Sequence, residues 1–261
     1  MIAYLAFLKH NSFFYMPRPA VGCIFFLIFL AACNNVIKDR KPVDPDAVFF
    51  DYKIRGEEKD STVTVYIQYK IGGPNGRSFV LDDPAQVRLD DEIIPTASAK
   101  LTGAYYEIQK PSGSFAGKHT ISFTDLNKKE YKEEFIYKPF KLRTRIPDAI
   151  NRSDLAFDFE GLESEDYVGV IATDTSFISR DINEIDTVKN NRLIIPAGRL
   201  KNLVNGPIIL LLSRETEKAI KNGTKAGGRI VVSYGLQREF ELKPPGPIPT
   251  SPDRGGHRTQ P

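Results

Sequence analysis

The clearest pattern in this 261-residue sequence is an alternation of apolar and polar side chains with a period of two. The segment STVTVYIQYK places Val63, Val65, Ile67 and Tyr69 on one face and mostly polar side chains on the other. Because successive side chains of a strand point to opposite sides of a sheet, this pattern predicts a half-buried β-strand. The segments AVFFDYKI, QVRLDDEIIP and GAYYEIQ are interpreted as further strands.

Short polar segments between these strands predict tight turns. GGPNG follows the first alternating pair, and Asp90 with Asp91 is predicted to turn a short hairpin. The segment DLNKK separates two alternating runs, one with Ile121 and Phe123 and the other ending near Tyr137. Since Asp, Asn and Gly favour turn conformations, these runs are expected to form a hairpin.

The second half of the chain repeats the pattern. SDLAFDFEGL places Leu155, Phe157 and Phe159 on one face, and DYVGVIATDT, NRLIIPAG and GRIVVSYGLQREFELK continue the strands. The continuous apolar run PIILLLSR predicts a central strand covered on both faces. SRETEKAIKNG is predicted to be a surface turn, and GRLKNLVNG a connecting turn.

These patterns predict an all-β protein, because turn signals recur at short intervals and no long helical period occurs. A boundary near Phe140 divides it into modules 47–139 and 140–243, each large enough to bury a core. The run SFAGKHTISFTDLNKKEY resembles the late strands of immunoglobulin-like modules in bacterial surface proteins. That resemblance implies two tandem immunoglobulin-like antiparallel β-sandwich domains, although the absence of Trp departs from antibody-type domains.

The N-terminal region has the organisation of a secretory signal. The apolar stretch Ala20–Ala32 is shorter than the roughly 20 residues that a membrane-spanning helix needs, and Arg18 precedes it. A small-residue motif closes it, formed by Leu30, Ala31, Ala32 and Cys33. This motif closely resembles the bacterial lipobox, which implies that residues 1–32 are a signal peptide and that Cys33 is lipidated and becomes the new N-terminus.

The segments flanking the modules are predicted from composition. Met16 is the expected true start, since it leaves a signal of ordinary length. Residues 33–46 are interpreted as a lipidated tether that holds the folded part off the bilayer. Residues 244–261 are rich in Pro and Gly and are predicted to be a disordered tail.

Charge and cysteine content narrow the function classes. Cleavage before Cys33 removes Lys9 and Arg18 and no acidic residue, which lowers the net charge from +3 to +1. A nearly neutral chain without a dense basic block argues against a nucleic-acid partner. Cleavage also removes Cys23, so the acylated cysteine leaves no disulfide and no thiol chemistry.

No catalytic motif emerges from the sequence, and no cofactor is predicted. GGPNGRS lacks the spacing and the Lys of a phosphate-binding loop. His119 is the single histidine of the predicted modules, so a Ser-His-Asp triad would have to use it, and no G-x-S-x-G elbow exists. His119 begins an alternating strand and is interpreted as an ordinary strand histidine. We therefore expect a protein that is not an enzyme.

Two sets of residues are candidates for binding. Carboxylates concentrated after residue 157 are interpreted as a solvated acidic face, with a calcium site or a pair of glycosidase carboxylates as alternatives; the weak calcium candidates are Asp158, Glu160, Asp181 and Asp186. Tyrosines in the first module are possible contacts for a ligand, since an exposed ring can stack on a sugar or contact a protein; these are Tyr66, Tyr105 and Tyr106, with one of the last two expected to face inwards.

The lipobox with two such modules resembles lipoproteins of Gram-negative bacteria. The leading hypothesis is a lipid-anchored cell-envelope protein that acts as a non-enzymatic interaction or scaffold module. The alternatives are a glycan-binding surface lipoprotein and an unrecognised hydrolase. Asn34, rather than Asp, follows the predicted lipidated cysteine, which favours the outer membrane; the membrane and an unknown envelope protein or glycan are the expected partners.

Overall fold

A computed structural model describes residues 43–81, 83–100, 102–175 and 180–244. Nearly all the regular secondary structure of the described residues is β-strand, which confirms the predicted all-β sandwich class. The strands are, in chain order, β1 (Val48–Glu57), β2 (Thr62–Ile71), β3 (Arg77–Ser78), β4 (Gln86–Leu89), β5 (Glu92–Ile93), β6 (Thr96–Ala99), β7 (Gly103–Pro111), β8 (Gly117–Thr124), β9 (Glu130–Tyr137), β10 (Lys141–Leu142), β11 (Ala149–Ile150), β12 (Leu155–Glu160), β13 (Tyr167–Asp174), β14 (Ile182–Thr187), β15 (Arg192–Ile195), β16 (Gly206–Ala219) and β17 (Gly228–Leu242). Within these described ranges, helical structure is limited to α1 (Ala197–Leu200) and two short 3₁₀ segments, Pro45–Ala47 and Ser112–Ser114.

The strands form three sheets. A ten-stranded sheet has the order β14-β13-β16-β17-β1-β2-β7-β6, with β11 paired to β17 and β3 paired to β2. A four-stranded sheet has the order β5-β4-β8-β9, and a three-stranded sheet has the order β10-β12-β15. Most pairs are antiparallel, but β1 and β11 run parallel to β17. The last strand therefore pairs with the first across more than 170 residues of sequence.

Two hydrophobic cores lie against one face of the large sheet. In the first, Phe50 of β1 packs edge-on against Phe123 of β8, with ring centroids 5.4 Å apart. Contacts of this kind join the four-stranded sheet to the ten-stranded one. In the second core, Phe157 of β12 is buried in one cluster with Val170 of β13 and Leu210 of β16. Two sheets that each bury one face against the other make a sandwich.

The final hairpin contributes to both cores. Ile220 and Ile230, near its turn, belong to the first core, whereas Leu236, Phe240 and Leu242 belong to the second. Strands β16 and β17 are 14 and 15 residues long, which is enough to run past both cores. The division of the chain into modules 47–139 and 140–243 stays a prediction.

The predicted turns have the expected backbone chemistry. Asp90 and Asp91 have φ angles of 48° and 70°, in the left-handed region that a tight hairpin turn uses. In the β8–β9 hairpin, the Asp125 carboxylate accepts hydrogen bonds from the backbone N–H groups of Asn127 and Lys129. An Asp side chain that bonds nearby backbone in this way is the reason that the residue favours turns.

Two predictions for the last hairpin are wrong. The segment 213–223 is not a surface turn, because β16 continues to Ala219 and pairs with β17 as far as Ala219 opposite Arg229; a long antiparallel ladder overrides the local preference. The run 207–214 is a central strand, but only one of its faces is covered. Ile208, Leu210 and Leu212 are buried, whereas Leu211 is 36% exposed.

Candidate interaction surface

The ten-stranded sheet has a second face, which we call the outer face. Its residues are those that alternate with the core residues, such as Lys53 and Arg55 of β1, Tyr66 of β2, and Ile209 and Leu211 of β16. Most outer-face side chains are exposed or half-buried. This face spans the strands that line both cores.

Tyr66 and Tyr105 form a stacked pair on the outer face. Their ring centroids are 4.9 Å apart with an angle of 25° between the planes. Tyr66 lies opposite Lys53 of β1 and opposite Glu107 of β7, so one cation and one carboxylate flank it. Both rings are half-buried. The sequence placed Tyr66 on the polar face of its strand and indicated that one of Tyr105 and Tyr106 faces outwards; in the structure Tyr105 is the outward one and lies against Tyr66.

Tyr106 faces inwards and does not lie on the outer face with the other two candidate tyrosines. Its side chain lies in the first core and is 5% exposed, because it follows Tyr105 in a strand and so points to the other face. Its hydroxyl accepts a hydrogen bond of 3.0 Å from the Leu81 backbone N–H. Tyr106 thus holds the loop that carries Leu81 against the sandwich.

Burial raises the pKa of Tyr66 above its usual value, and the nearby Tyr105 and Glu107 raise it further, whereas a hydrogen bond with Thr102 lowers it. The phenol therefore keeps its proton at neutral pH. In this form the hydroxyl can both donate and accept a hydrogen bond.

A buried ion cluster lies beside the tyrosine pair. Asp51 is fully buried on the outer-face side of β1, where it accepts hydrogen bonds from Lys70 Nζ at 2.5 Å and Arg229 Nε at 2.8 Å. Burial alone would raise the pKa of Asp51, but these two donors and the nearby Lys53 hold it below its ordinary value. The cluster ties β1, β2 and β17 together, because its members lie on all three strands.

A patch of apolar side chains covers the other end of the outer face. It consists of Tyr167 and Ile171 of β13, Ile185 of β14, and Ile209 and Leu211 of β16, and we call it the apolar strip. Ile185 is 75% exposed and Tyr167 is 65% exposed. Ile171 pairs directly with Leu211, and Ile185 lies opposite Gly169, between Tyr167 and Ile171. Exposed apolar groups that are contiguous, rather than scattered, mark interaction sites.

Acidic side chains border the apolar strip. Glu215 of β16 and Glu239 and Glu241 of β17 are exposed on the outer face at this end of the sheet. Asp148 joins Glu239 and Glu241 in lining a shallow depression beside Ile209. No Lys or Arg occupies an outer-face position of β13 or β14. The same holds for the outer-face positions 206–215 of β16 and 235–241 of β17, which lie beside them. The surface is therefore apolar in its centre and mainly acidic at its border, which Lys59 also reaches, with its Nζ 2.8 Å from Gln237 Oε1.

The four calcium candidates are not brought into one cluster. Asp158 accepts two hydrogen bonds from Arg192, at 2.6 and 3.0 Å, and this partner holds the pKa of its carboxyl below the usual value. Glu160 ends the same strand of the three-stranded sheet, whereas Asp181 and Asp186 lie at or in β14 of the large sheet. Within the described ranges, no group of three or more His, Cys, Asp or Glu is arranged to hold a metal ion.

His119 uses both ring nitrogens within the first module. Nδ1 lies 2.6 Å from Asp90 Oδ2, and Nε2 lies 2.8 Å from the Phe115 carbonyl oxygen. The ring also stacks on Phe115, with centroids 3.9 Å apart. A triad would need Nε2 to face a nucleophile, so this histidine acts as a structural link between β8 and the β4–β5 turn.

The lipobox residues Leu30, Ala31, Ala32 and Cys33 lie outside the described residues, as do the signal peptide, most of the tether and most of the tail. Their roles stay predictions. Within the part of the chain that the structure describes, no helix is both long enough and apolar enough to cross a membrane.

Comparison with known proteins identifies no family. No protein-family model matches the sequence, and no curated protein matches it. The chain is similar to a tetra-tandem repeat from the extending region of a large adhesion protein, with 13% identity, a TM-score of 0.24 and coverage of 73% of this chain. It is also similar to the Yersinia pseudotuberculosis adhesin InvE, with 10% identity, a TM-score of 0.22 and 77% coverage.

A third similar structure is the Bacteroides ovatus protein SGBP-B of a mixed-linkage glucan utilization locus, in complex with a heptasaccharide, with 12% identity, a TM-score of 0.19 and 72% coverage. The chain spans 49%, 60% and 61% of the length of these three proteins. At such TM-scores the likeness carries no argument on family or function. The sheets and cores described above carry the assignment of the fold class.

Two features of the surface were missed in the sequence. The apolar strip had one signal, the unbroken run Ile208–Leu212, which was interpreted as a strand covered on both faces. The Asp51 cluster had a different signal, which was an Asp within the apolar segment AVFFDYKI. In both cases the sequence showed an unusual residue pattern but did not show which strands would lie beside it.

Proposed function

We propose that this chain is a lipid-anchored protein of a bacterial cell envelope that acts as a non-enzymatic interaction module. The lipobox motif supports the anchor, and Asn34 supports the outer membrane over inner-membrane retention. The observation that carries the interaction role is the apolar strip, which lies uncovered on the outer face among the described residues. Burial of such a surface by a partner is favourable, at roughly 25 cal/mol per Å² of apolar area.

The chemistry of the strip specifies its partner. Its centre accepts apolar side chains, of which Ile185 and Tyr167 are the most exposed contacts. Its border of Glu215, Glu239 and Glu241 attracts Lys or Arg and repels acidic groups. The partner is therefore an envelope protein that presents apolar side chains within a basic border.

The test compares two substitutions of the same kind. Ile185→Asp places a charge in the strip, whereas Ile136→Asp places one at a site 67% exposed on β9, away from the outer face. Proximity labelling in the native host names the neighbours of each variant, and the purified neighbour is then titrated against each. We expect Ile185→Asp to weaken binding by at least about tenfold and Ile136→Asp to leave it unchanged.

Two results would contradict the proposal. One is a neighbour whose affinity is the same for Ile185→Asp and for the unsubstituted protein. The other is a second copy of this chain as the captured partner, since its own acidic border would then face itself. Circular dichroism of both variants serves as the folding control.

A further inference from the structure

We infer that the stacked pair of Tyr66 and Tyr105 is a binding platform for a neutral glycan. This site is separate from the apolar strip, because its rings lie on β2 and β7 whereas the strip lies on β13, β14 and β16. The inference does not depend on the protein partner proposed above.

The first step in the argument is the shape of the pair. Each ring turns one face towards the other at a centroid distance of 4.9 Å, which leaves one face per ring for neighbouring side chains or a ligand. A pyranose ring has an apolar C–H face that packs on an aromatic face, and tyrosine combines an apolar ring with a polar hydroxyl. The remaining faces point away from each other, so a sugar can pack on the free face of either ring or along the shared edge of the pair; we call these surfaces the apolar floor.

The second step is the set of hydrogen-bonding groups around the floor. Lys53 and Glu107 lie directly opposite Tyr66 on the two neighbouring strands. Thr64 and Gln109 face each other in the row two residues further along. Sugar hydroxyls donate and accept hydrogen bonds, and this surround supplies donors, acceptors and groups that do both. An apolar floor with a few placed polar groups is typical of small-molecule and sugar sites.

The third step is charge, which selects neutral over acidic glycans. Lys53 and Glu107 contribute one charge of each sign beside Tyr66. The buried Asp51 pairs with Lys70 and Arg229 within 2.8 Å, and Arg229 also pairs with Glu217 at 3.6 Å, so this neighbouring cluster carries two charges of each sign. A site without a net charge gives no electrostatic advantage to a uronate or a phosphorylated sugar.

The fourth step is rigidity. Both rings are half-buried and pack against each other. The Asp51 cluster ties β2, the strand that carries Tyr66, to β1 and β17. Tyrosine has few rotatable bonds, and a preordered side chain loses little freedom when it binds. The platform is thus ready for a ligand without rearrangement.

The experiment uses affinity electrophoresis and isothermal titration of the detergent-solubilised mature protein. The probes are four soluble neutral polysaccharides (laminarin, xylan, mannan and dextran) and two acidic ones (alginate and polygalacturonate). We expect retention by at least one neutral polymer and by neither acidic one. Because the chain has no Trp, a change in tyrosine fluorescence on titration gives a second readout of binding.

Variants locate the site. Tyr66→Ala and Tyr105→Ala are expected to weaken binding by at least about tenfold. Tyr66→Phe keeps the ring and loses only the hydroxyl's hydrogen bonding, so it should weaken binding by about threefold or less. Tyr167→Ala is the matched control, because Tyr167 is an exposed outer-face tyrosine in the apolar strip; it should bind as the unsubstituted protein does. Lys53→Ala and Glu107→Ala leave both rings in place and should each weaken binding, which keeps the test decisive if an alanine at a ring position impairs folding.

The inference is overturned if none of the neutral polysaccharides is retained, or if only the acidic ones are. Retention that Tyr167→Ala abolishes and Tyr105→Ala does not would also overturn it, because the ligand would then lie on the strip. Ile185→Asp should leave glycan binding unchanged. Failure of the glycan site and failure of the protein-partner proposal are therefore distinguishable.

Discussion

The hydroxyl of Tyr137 provides the sharpest test of the packing. Tyr137 is 1% exposed at the end of β9, and its hydroxyl has no hydrogen-bond partner among the described residues. Burial raises the pKa of Tyr137 well above its ordinary value, and the neighbouring Tyr234 raises it further. The hydroxyl therefore stays protonated in an apolar site, where it has lost its bonds to water and gained none from the protein.

Tyr137→Phe removes this group. A buried polar group without a partner costs about 1 to 3 kcal/mol, and the small void left behind offsets part of the gain. We expect the variant to be more stable than the unsubstituted protein by about 1 kcal/mol, which corresponds to a rise in Tm of about 2 to 4 °C for a chain of this size. Urea and thermal unfolding, followed by far-UV circular dichroism, measure the difference.

Tyr106→Phe is the matched control. Tyr106 is also a core tyrosine, but its hydroxyl accepts a hydrogen bond from the Leu81 N–H at 3.0 Å. Its loss leaves that donor unpaired, so we expect a destabilisation of about 1 kcal/mol. If Tyr137→Phe lowers the stability as much as Tyr106→Phe does, the Tyr137 hydroxyl has a partner and the reasoning is refuted.

Gly56 extends the same test to a double-mutant cycle. A methyl group added at Gly56 of β1 would overlap the Tyr137 hydroxyl oxygen, whereas the next atoms, Tyr137 Cζ and Val63 Cγ2, would be 3.1 and 3.2 Å away. Gly56→Ala should therefore be strongly destabilising alone and better tolerated together with Tyr137→Phe. Because the two sites are in contact, we expect a coupling energy of at least about 1 kcal/mol; additive effects would show that the overlap is relieved elsewhere.

Three further predictions concern charge, anchoring and the strip. Asp51→Ala leaves Lys70 and Arg229 without their carboxylate and should lower the free energy of unfolding, measured in urea, by about 3 kcal/mol. Because the pKa of Asp51 is lower in the folded than in the unfolded protein, this stabilisation is present above about pH 3.8 and is lost as the pH falls through the folded pKa. The difference in stability between the variant and the unsubstituted protein should therefore shrink in acid. Cys33→Ser should move the expressed protein from the detergent-rich to the aqueous phase on phase partition, whereas Cys23→Ser should not, and equal partition of the two variants would contradict acylation at Cys33. Ile185→Asp should reduce the binding of a fluorescent apolar dye to the folded protein while Ile136→Asp reduces it less; equal effects would show that the strip is no more continuous than other exposed apolar sites.

The strands themselves were predictable because their signal is local. Alternation in 62–71 and around Ile121 and Phe123 follows from one buried face per strand, and the turns at Asp90 and Asp125 follow from side chains that bond nearby backbone. The β16 strand was predicted too short, because Arg214–Ala219 has a composition that also suits a turn. Only pairing with β17 makes it a strand, and pairing partners are not visible in a local pattern.

The candidate site was predictable only in part. The period of two indicated that one of Tyr105 and Tyr106 faces outwards, but the register between β2 and β7 was needed to place Tyr105 against Tyr66. The Asp51 cluster depends on Arg229, which reaches β1 through a parallel pair across 178 residues of sequence. The apolar strip is exposed because other elements cover only one face of β16. A continuous apolar run in the sequence does not show whether one face or both faces of a strand are covered.

The most direct test of the outer face as the binding surface is site-specific photo-crosslinking in intact cells of the native host. A photoreactive amino acid replaces Leu211 in the apolar strip or, in a separate strain, Ile136 on β9. The account predicts one dominant crosslinked product from position 211 and none above background from position 136. Products of equal yield from both positions, or from position 136 alone, would contradict it.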